Sequence, residues 1–262
     1  MEATVMDTAG LSRDPNIKAV LLVGGKGTRL RSVLPSTPKP MARVGSRSFL
    51  DLLVEQLRYQ GIRQIVMSVG YLRDQIEQEF GTGHGRDVSI EYAREDSPLG
   101  TAGAIRLAGE YIGEASEFLV LNGDSFLELD FWKLIDFHRN HRALATLAVR
   151  PVPNASRYGT VELNDEGQVT RFVEKVGIHK PAFVSAGVYV FNRTLLHYLP
   201  EGPASLETDV LPRLVGRGFY GKKENGMFID IGSPEDYALA QGLAERLYQA
   251  ALRQGHASDV RH

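Results

Sequence analysis

Residues 17–45 read IKAVLLVGGKGTRLRSVLPSTPKPMARVG, and this stretch decides how the chain is expected to fold. An apolar run of strand length, AVLLV at 19–23, leads directly into the glycine-rich segment GGKGTRL at 24–30. The connection then continues for about fifteen residues, and loops of that length in compact domains are usually functional or disordered. The stretch therefore predicts a buried strand followed by a loop with a specific role.

Short apolar runs recur along the first half of the chain, with helical patterns between them. The runs lie at residues 19–23, 64–69, 88–92, 118–122 and 145–149. Helices are expected at 49–61, near 72–80 and near 101–111, and the first carries an apolar stripe formed by Leu50, Leu53, Val54 and Leu57. This alternation predicts an α/β fold with a mainly parallel sheet flanked by helices.

The pattern changes from Pro151 onward. Residues 158–175 alternate with a period of two around the turn Asp165-Glu166-Gly167, which predicts a small antiparallel β insertion containing a hairpin. A final helix is expected over about 234–254, with Ser233 as its cap. We treat residues 17–262 as one domain that follows a flexible tail, residues 1–16, and we expect the last ten or so residues to be loose as well.

The charge balance and composition exclude several classes of partner. The chain has 30 Lys and Arg against 32 Asp and Glu, so it lacks the basic excess that nucleic acid or anionic lipid attracts. It contains no cysteine, which excludes disulfides and thiolate metal sites. We see neither a membrane-spanning run nor a signal sequence. We therefore expect a cytoplasmic protein that binds neither nucleic acid nor membrane.

Two familiar phosphate-binding loops do not fit residues 24–30. The dinucleotide fingerprint G-x-G-x-x-G would need glycine where Leu30 stands, and the Walker loop would need it at Arg29. What remains is a strand end whose exposed backbone N–H groups can approach a triphosphate, beside the cations Arg29 and Lys39. The alternative is an ordinary glycine-rich turn with two solvated cations.

Further motifs follow this loop in order along almost the whole chain. They are GGKGTRL (24–30) with PKP (38–40), LGTAG (99–103), VLNGD (120–124), FVEK (172–175), SAGVY (185–189) and FIDIG (228–232). The series resembles the sugar-1-phosphate nucleotidyltransferases, which join a nucleoside triphosphate to a sugar 1-phosphate and release pyrophosphate. The resemblance implies a Rossmann-like, mixed sheet with a nucleotide-binding part at about 17–150 and a sugar-binding part at about 151–235.

The resemblance also implies roles for particular residues. It assigns catalysis to Arg29, Lys39 and Lys175, and a Mg2+ site to Asp124 and Asp230. It assigns nucleotide binding to Val23, Gly24, Gly25, Gly27, Thr28, Arg29, Gly100, Thr101, Asn122 and Gly123. It assigns binding of the sugar phosphate to Glu174, Lys175, Gly187 and Glu207.

The charged residues among these also have simpler interpretations. Asp124 and Asp230 each follow an apolar run, at the strand ends where ligands bind in α/β sheets, but aspartate is also common in turns. Glu174 and Lys175 could be solvated charges at a strand edge. Glu207 could simply stabilise a helix N-terminus.

The motif details look most like the D-glycero-D-manno-heptose 1-phosphate guanylyltransferases. That resemblance implies GTP and a heptose 1-phosphate as partners, and a homo-oligomer is compatible with it. The nearest alternative is a short mannose-1-phosphate guanylyltransferase, followed by thymidylyl, cytidylyl and uridylyl members. A non-catalytic nucleotide-sugar sensor is an alternative of another class, and the failed fingerprint disfavours an NAD-dependent dehydrogenase.

A few residues outside these assignments carry their own expectations. Many members of the resembled family have asparagine where this chain has Ser185, so the identity of the sugar rests on a contact that differs here. Trp132 fits the apolar side of a helix and is expected in the core. The histidines at 84, 138, 141 and 179 show no consistent ligand spacing, and we expect them to be surface or structural residues.

Overall fold

The computed structural model describes residues 14, 16–25, 27–30, 32–174, 177 and 179–253. Most of the expected N-terminal tail, the last nine residues (254–262) and Lys175 lie outside the described residues.

Strands and helices alternate along the first half of the described chain. The strands are β1 (Lys18–Leu22), β2 (Arg43–Val44), β3 (Arg47–Ser48), β4 (Gln64–Val69), β5 (Ser89–Arg94), β6 (Glu117–Asn122), β7 (Ser125–Leu127), β8 (Ala145–Val152), β9 (Thr160–Leu163), β10 (Val169–Val173), β11 (Ala182–Asn192), β12 (Phe219–Lys223) and β13 (Phe228–Asp230). The α-helices are α1 (Phe49–Tyr59), α2 (Arg73–Phe80), α3 (Gly100–Ala108), α4 (Phe131–Asn140), α5 (Leu211–Leu214), α6 (Pro234–Gly242) and α7 (Ala244–Ala251). A π-helical turn covers Leu206–Val210.

The central sheet is mixed and mainly parallel, as predicted. It contains nine strands of the described chain, and pairing runs from β12 through β8, β11, β6, β1 and β4 to β5. β1 is parallel to β4 and β6, β4 is parallel to β5, and β8 is parallel to β12, whereas β11 is antiparallel to β6 and β8. The carboxyl ends of β1 and β6 therefore meet at one edge, where Leu22 pairs with Asn122.

The predicted hairpin is present and extends this sheet. β9 and β10 pair antiparallel, and β9 also pairs with Phe183 and Val184 of β11. The expected start of the insertion at Pro151 is wrong, because Pro151 lies inside β8 and pairs with Phe183. Proline can occupy a strand position where its missing N–H is not needed. The antiparallel part is thus continuous with the central sheet.

Alternate side chains of β1 face two different cores. Ala19 and Leu21 point to the face that also buries the apolar residues of α1 and α7, while Val20 points to the face covered by α3. The predicted α1 stripe is buried throughout: Leu50, Leu53, Val54 and Leu57. Trp132 lies in the first core, as expected, and its Nε1 donates to the carbonyl oxygen of Gln60 at 2.8 Å.

The C-terminal helix predicted over about 234–254 is two helices. α6 ends at Gly242 and α7 begins at Ala244, with Leu243 between them at a φ of −107°. The glycine weakens the helix at this point. The cap was predicted correctly, since Ser233 Oγ accepts from the backbone N–H of Asp236 at 3.2 Å. The break leaves α6 with little buried surface and lets α7 pack Leu247 into the core.

The length and apolar content of the described helices bear on membrane crossing. Among these residues, each helix is too short or too polar to span a bilayer.

His138 on α4 is a buried histidine, which agrees with the expectation of a structural role. It is 2% exposed, and its Nδ1 lies 2.9 Å from Thr146 Oγ1. Burial lowers the pKa of His138 from 6.5 to about 4. The folded protein therefore binds this proton less readily than the unfolded chain does. The group costs no stability above pH 6.5 and an increasing amount as the pH falls toward 4.

We expect this histidine to remove roughly 2–3 kcal/mol of unfolding free energy between pH 7 and pH 4.5. The variant His138→Gln should lack that loss, so urea unfolding curves at the two pH values should differ less for the variant than for the wild type. The same substitution at exposed His84 is the matched control and should keep the wild-type pH dependence. Identical pH dependence in wild type and His138→Gln would contradict the prediction.

Candidate active site

A cleft of about 600 Å³ lies at the carboxyl edge of the sheet. It is lined by most of the residues that the sequence motifs singled out: Val23, Gly24, Gly25, Gly27, Thr28, Arg29, Lys39, Gly100, Thr101, Asn122, Gly123, Asp124, Glu174, Gly187, Glu207 and Asp230. Lys175 is the exception, because it lies outside the described residues. Motifs that are far apart in sequence therefore share one cavity.

The glycines of residues 24–30 serve two purposes. Gly27 has a φ of +55°, and a Cβ there would lie 2.9 Å from Lys39 Cβ, so only glycine lets this loop pack against Lys39. A Cβ on Gly24 would lie 2.6 Å from Glu95 Oε1. Around Gly25, by contrast, a Cβ would meet nothing within 4 Å. Internal packing thus explains Gly24 and Gly27, while Gly25 faces open space where a ligand can approach the backbone.

The two predicted metal ligands are brought together by a short sheet. β13 pairs antiparallel with β7, placing Asp230 opposite Ser125, and the backbone N–H of Ile231 donates to the Asp124 carbonyl at 2.9 Å. Lys39 Nζ lies 2.5 Å from Asp124 Oδ2, and the lysine side chain is only 11% exposed. A nearly buried ammonium is therefore held against one carboxylate of the pair.

Asp230 has an unusual electrostatic environment. Burial and the neighbouring charge of Asp124 raise its pKa from 3.8 to about 6, although Lys39 and a hydrogen bond from the Gly232 N–H at 2.5 Å oppose the change. The charge of Asp124 thus disfavours ionisation of Asp230, despite the opposing effect of Lys39. A further positive charge would stabilise the ionised pair.

The donor set fits a cation that arrives with phosphate. Among the described residues, no group of three or more His, Cys, Asp or Glu side chains could hold a metal by itself. Magnesium commonly takes one or two carboxylates together with phosphate oxygens and retained waters. Asp124 and Asp230 match that requirement.

Another part of the cleft lining, around Glu207 and Ser185, is rich in carboxylates and hydroxyls. Glu207 Oε2 accepts from Thr101 Oγ1 at 2.7 Å and from Ser205 Oγ at 3.1 Å. Ser185 Oγ lies 3.0 Å from the hydroxyl of Tyr189. Burial raises the pKa of Tyr189, which therefore remains a neutral donor and acceptor. Such groups suit a ligand with many hydroxyls.

Gly187 lies at a β-bulge in this part of the lining. The register of β11 against β8 shifts between Ser185 and Tyr189, and Gly187 has a φ of +73°. A Cβ there would lie 3.0 Å from Asn122 Nδ2. The group that approaches this glycine in the structure is therefore the side chain of Asn122. The Oδ1 atom of Asn122 is buried and accepts no hydrogen bond from the described part of the chain.

Several residues of the cleft were not predicted from the sequence. Glu95 accepts from the Leu99 N–H at 2.9 Å and from Ser68 Oγ at 3.1 Å, so it anchors the start of the LGTAG segment. Its position directly after β5 was a usable signal, because Asp124 lies at a comparable position near the end of β6. Acids at the carboxyl ends of parallel strands in one sheet reach the same edge.

Arg157 and Asp236 were also missed. Arg157 makes two hydrogen bonds to the Asp236 carboxylate, at 2.7 and 2.8 Å, and so ties the segment before β9 to the first turn of α6. Tyr158 packs against Phe228, with ring centroids 5.8 Å apart. The sequence showed Asp236 only as a helix-cap acid. Its partner, Arg157, comes from a distant segment of the chain that has no local sequence signal.

A mainly parallel sheet with a glycine loop, a buried lysine and a carboxylate pair at its carboxyl edge is typical of proteins that handle nucleoside phosphates. A family model described as "Nucleotidyl transferase" matches residues 18–246. The chain belongs to the nucleotidyl transferase family.

Two curated relatives extend this assignment. The chain is 40% identical over 229 residues to a D-glycero-alpha-D-manno-heptose 1-phosphate guanylyltransferase of Aneurinibacillus thermoaerophilus, covering 86% of this chain and 97% of that protein. It is 35% identical over 240 residues to the mannose-1-phosphate guanylyltransferase catalytic subunit beta of Drosophila pseudoobscura pseudoobscura, covering 90% of this chain. The chain spans only 64% of the length of that second relative.

A solved structure agrees with the curated relatives. HddC from Yersinia pseudotuberculosis, in a crystal structure complexed with GMP-PN, is 35% identical, with a TM-score of 0.76, and the match covers 86% of this chain and 98% of that one. The α/β fold predicted from the sequence is confirmed.

Proposed function

We propose that this protein transfers a guanylyl group from GTP to D-glycero-D-manno-heptose 1-phosphate, forming GDP-heptose and pyrophosphate. The observation that carries the proposal is that one cleft is lined by the glycine loop, the Lys39–Asp124 pair and the hydroxyl-bearing residues around Glu207 and Ser185. The Aneurinibacillus relative supports the choice of nucleotide and sugar, since it is matched over 97% of its length. The mannose-1-phosphate guanylyltransferase catalytic subunit beta of Drosophila pseudoobscura pseudoobscura is matched over only 64% of its length.

The proposed reaction needs positioning more than proton transfer. An oxygen of the sugar phosphate attacks the α-phosphorus of GTP in line, and pyrophosphate leaves on the opposite side. The attacking phosphate is already an anion near neutral pH, so no side-chain nucleophile is required. Charge that develops on the leaving group has to be stabilised by fixed cations and N–H groups.

We assign those tasks to residues of the cleft. Lys39, Arg29 and the backbone N–H groups of the glycine loop hold the triphosphate and offset its charge. Glu174 and Glu207 accept hydrogen bonds from sugar hydroxyls. We assign the binding of the sugar phosphate to Lys175, on the motif resemblance alone.

We propose Mg2+ as the cation of Asp124 and Asp230. When bound, the ion supplies positive charge to the phosphates as pyrophosphate departs. Burial and the charge of Asp124 raise the pKa of Asp230, and a cation bound by the two carboxylates would stabilise their ionised forms. Lys39 also holds the Asp124 carboxylate in place before ligands arrive.

The test is pyrophosphate release by the purified protein with Mg2+. GTP, ATP, CTP, UTP and dTTP are each combined with the 1-phosphates of D-glycero-D-manno-heptose, mannose, glucose and N-acetylglucosamine, and each reaction is repeated with EDTA. We expect release with GTP and the heptose, and loss of release with EDTA.

The other outcomes separate the alternatives. Release with GTP and mannose 1-phosphate at higher kcat/KM than with the heptose would overturn the assignment of the sugar and leave the proposed reaction type intact. Release that EDTA does not change would overturn the proposed Mg2+ requirement. Silence over the whole grid, from folded protein that binds GDP-mannose, would overturn catalysis in favour of a nucleotide-sugar sensor.

A further inference from the structure

The LGTAG segment and the segment that carries Glu207 are joined by backbone hydrogen bonds. The N–H of Ala204 donates to the Leu99 carbonyl at 2.8 Å, and the N–H of Ala102 donates to the Ala204 carbonyl at 3.0 Å. Gly100 makes this approach feasible, because it has a φ of +68° and a Cβ there would lie 2.5 Å from the Ala204 carbonyl oxygen. The LGTAG segment and the segment that carries Glu207 therefore form one connected unit.

Thr101 links the two segments through its side chain. Its Oγ1 accepts from the backbone N–H of Leu206 at 2.7 Å and donates to Glu207 Oε2 at 2.7 Å. A carboxylate has no proton to give, so the threonine must be the donor of the second bond. A hydroxyl has only one proton. Because this proton is donated to Glu207, the Thr101 hydroxyl has no further hydrogen to donate to a nucleotide.

We propose that Thr101 is a positioning residue that holds Glu207 toward the sugar, rather than a contact of the nucleotide. The proposal rests on the proposed function in one respect, namely that Glu207 binds the sugar. The bond to Thr101 fixes the carboxylate orientation, and Ser205 Oγ donates to the same oxygen at 3.1 Å. Glu207 lines the cleft, and we assign its second carboxylate oxygen, Oε1, as the acceptor for a sugar hydroxyl.

The test compares two probes that differ only by a sugar, GDP and GDP-mannose, by isothermal titration calorimetry with the full chain. Thr101→Val keeps the shape of the side chain and removes both hydrogen bonds. We expect Thr101→Val to weaken the binding of GDP-mannose by about tenfold, since the lost bond is to a charged group, and the binding of GDP by less than twofold. Thr101→Ser keeps the hydroxyl and should restore both affinities to within twofold of wild type.

A double-mutant cycle isolates the path through Glu207. In the Glu207→Gln background, Thr101→Val should weaken GDP-mannose by less than a further twofold, because the oriented carboxylate is already absent. Thr101→Ala adds no atoms and replaces Thr101→Val in the cycle if the valine variant does not fold by circular dichroism.

Equal effects of Thr101→Val on the two probes, including no effect on either, would overturn the proposal. So would full additivity with Glu207→Gln. The result is separable from the proposed function. Silence in the pyrophosphate assay overturns catalysis and leaves the ligand comparison intact, whereas equal effects on GDP and GDP-mannose overturn the role of Thr101 even in an active enzyme.

Discussion

Asp124→Asn should lower kcat for pyrophosphate release by roughly a hundred- to a thousandfold. The substitution keeps the size of the side chain but removes its charge, so the proposed cation loses one of its two carboxylates. It also removes the anion that fixes Lys39 at 2.5 Å. The fold should persist, because the backbone bond from Ile231 to the Asp124 carbonyl does not depend on the side chain.

Asp165→Asn is the matched control for this variant. Asp165 lies exposed in the β9–β10 turn, so its substitution should leave kcat within twofold of wild type. Thermal unfolding of both variants shows whether each is folded at the assay temperature. An Asp124→Asn protein that retains more than a tenth of wild-type kcat would contradict the assignment of this carboxylate.

Lys39→Met should also lower kcat by roughly a hundred- to a thousandfold. Methionine preserves much of the length and packing of the side chain against Gly27 but brings no charge. In the proposed reaction the triphosphate then loses a fixed cation, and Asp124 and Asp230 remain as two neighbouring carboxylates without the charge of Lys39. Since Lys39 lowers the pKa of Asp230, its removal should raise that pKa further above about 6.

The same substitution at Lys180 controls for the loss of one positive charge. Lys180 is exposed and outside the cleft, so Lys180→Met should behave as wild type in the pyrophosphate assay. Steady-state kinetics with GTP varied separate kcat from KM. A Lys39→Met variant with normal kcat and only a raised KM for GTP would show that Lys39 binds substrate without acting on the leaving group.

Local patterns predicted the secondary structure well. The run QIVMSV at 64–69 is β4, and the stripe of Leu50, Leu53, Val54 and Leu57 is the buried face of α1. These predictions succeed because the periods of strands and helices are written in consecutive residues. The C-terminal helix was predicted as one helix because consecutive residues do not encode tertiary packing. Whether a helix continues past Gly242 depends on which surface is available to pack against on each side of that glycine.

The candidate site was predicted in part. The strand-end position of Asp124 and the glycine loop carry local signals, and both line the cleft. The proximity of Asp230 to Asp124 depends on pairing between β7 and β13, which are distant in sequence. The bidentate contact of Arg157 with Asp236 and the bond from Thr101 to Glu207 have no signature in either local sequence.

The sequence by itself determined the alternation of strands and helices, the glycines at the end of the first strand, and the acids that follow later strands. The tertiary structure alone decided which of these groups touch. The periodicity of a strand or a helix is set by consecutive residues. The hydrogen-bond partner and the pKa of a side chain depend instead on which groups folding brings within a few ångströms and on how much water is excluded there. The pairing of Lys39 with Asp124, and of Thr101 with Glu207, belongs to that second kind of information.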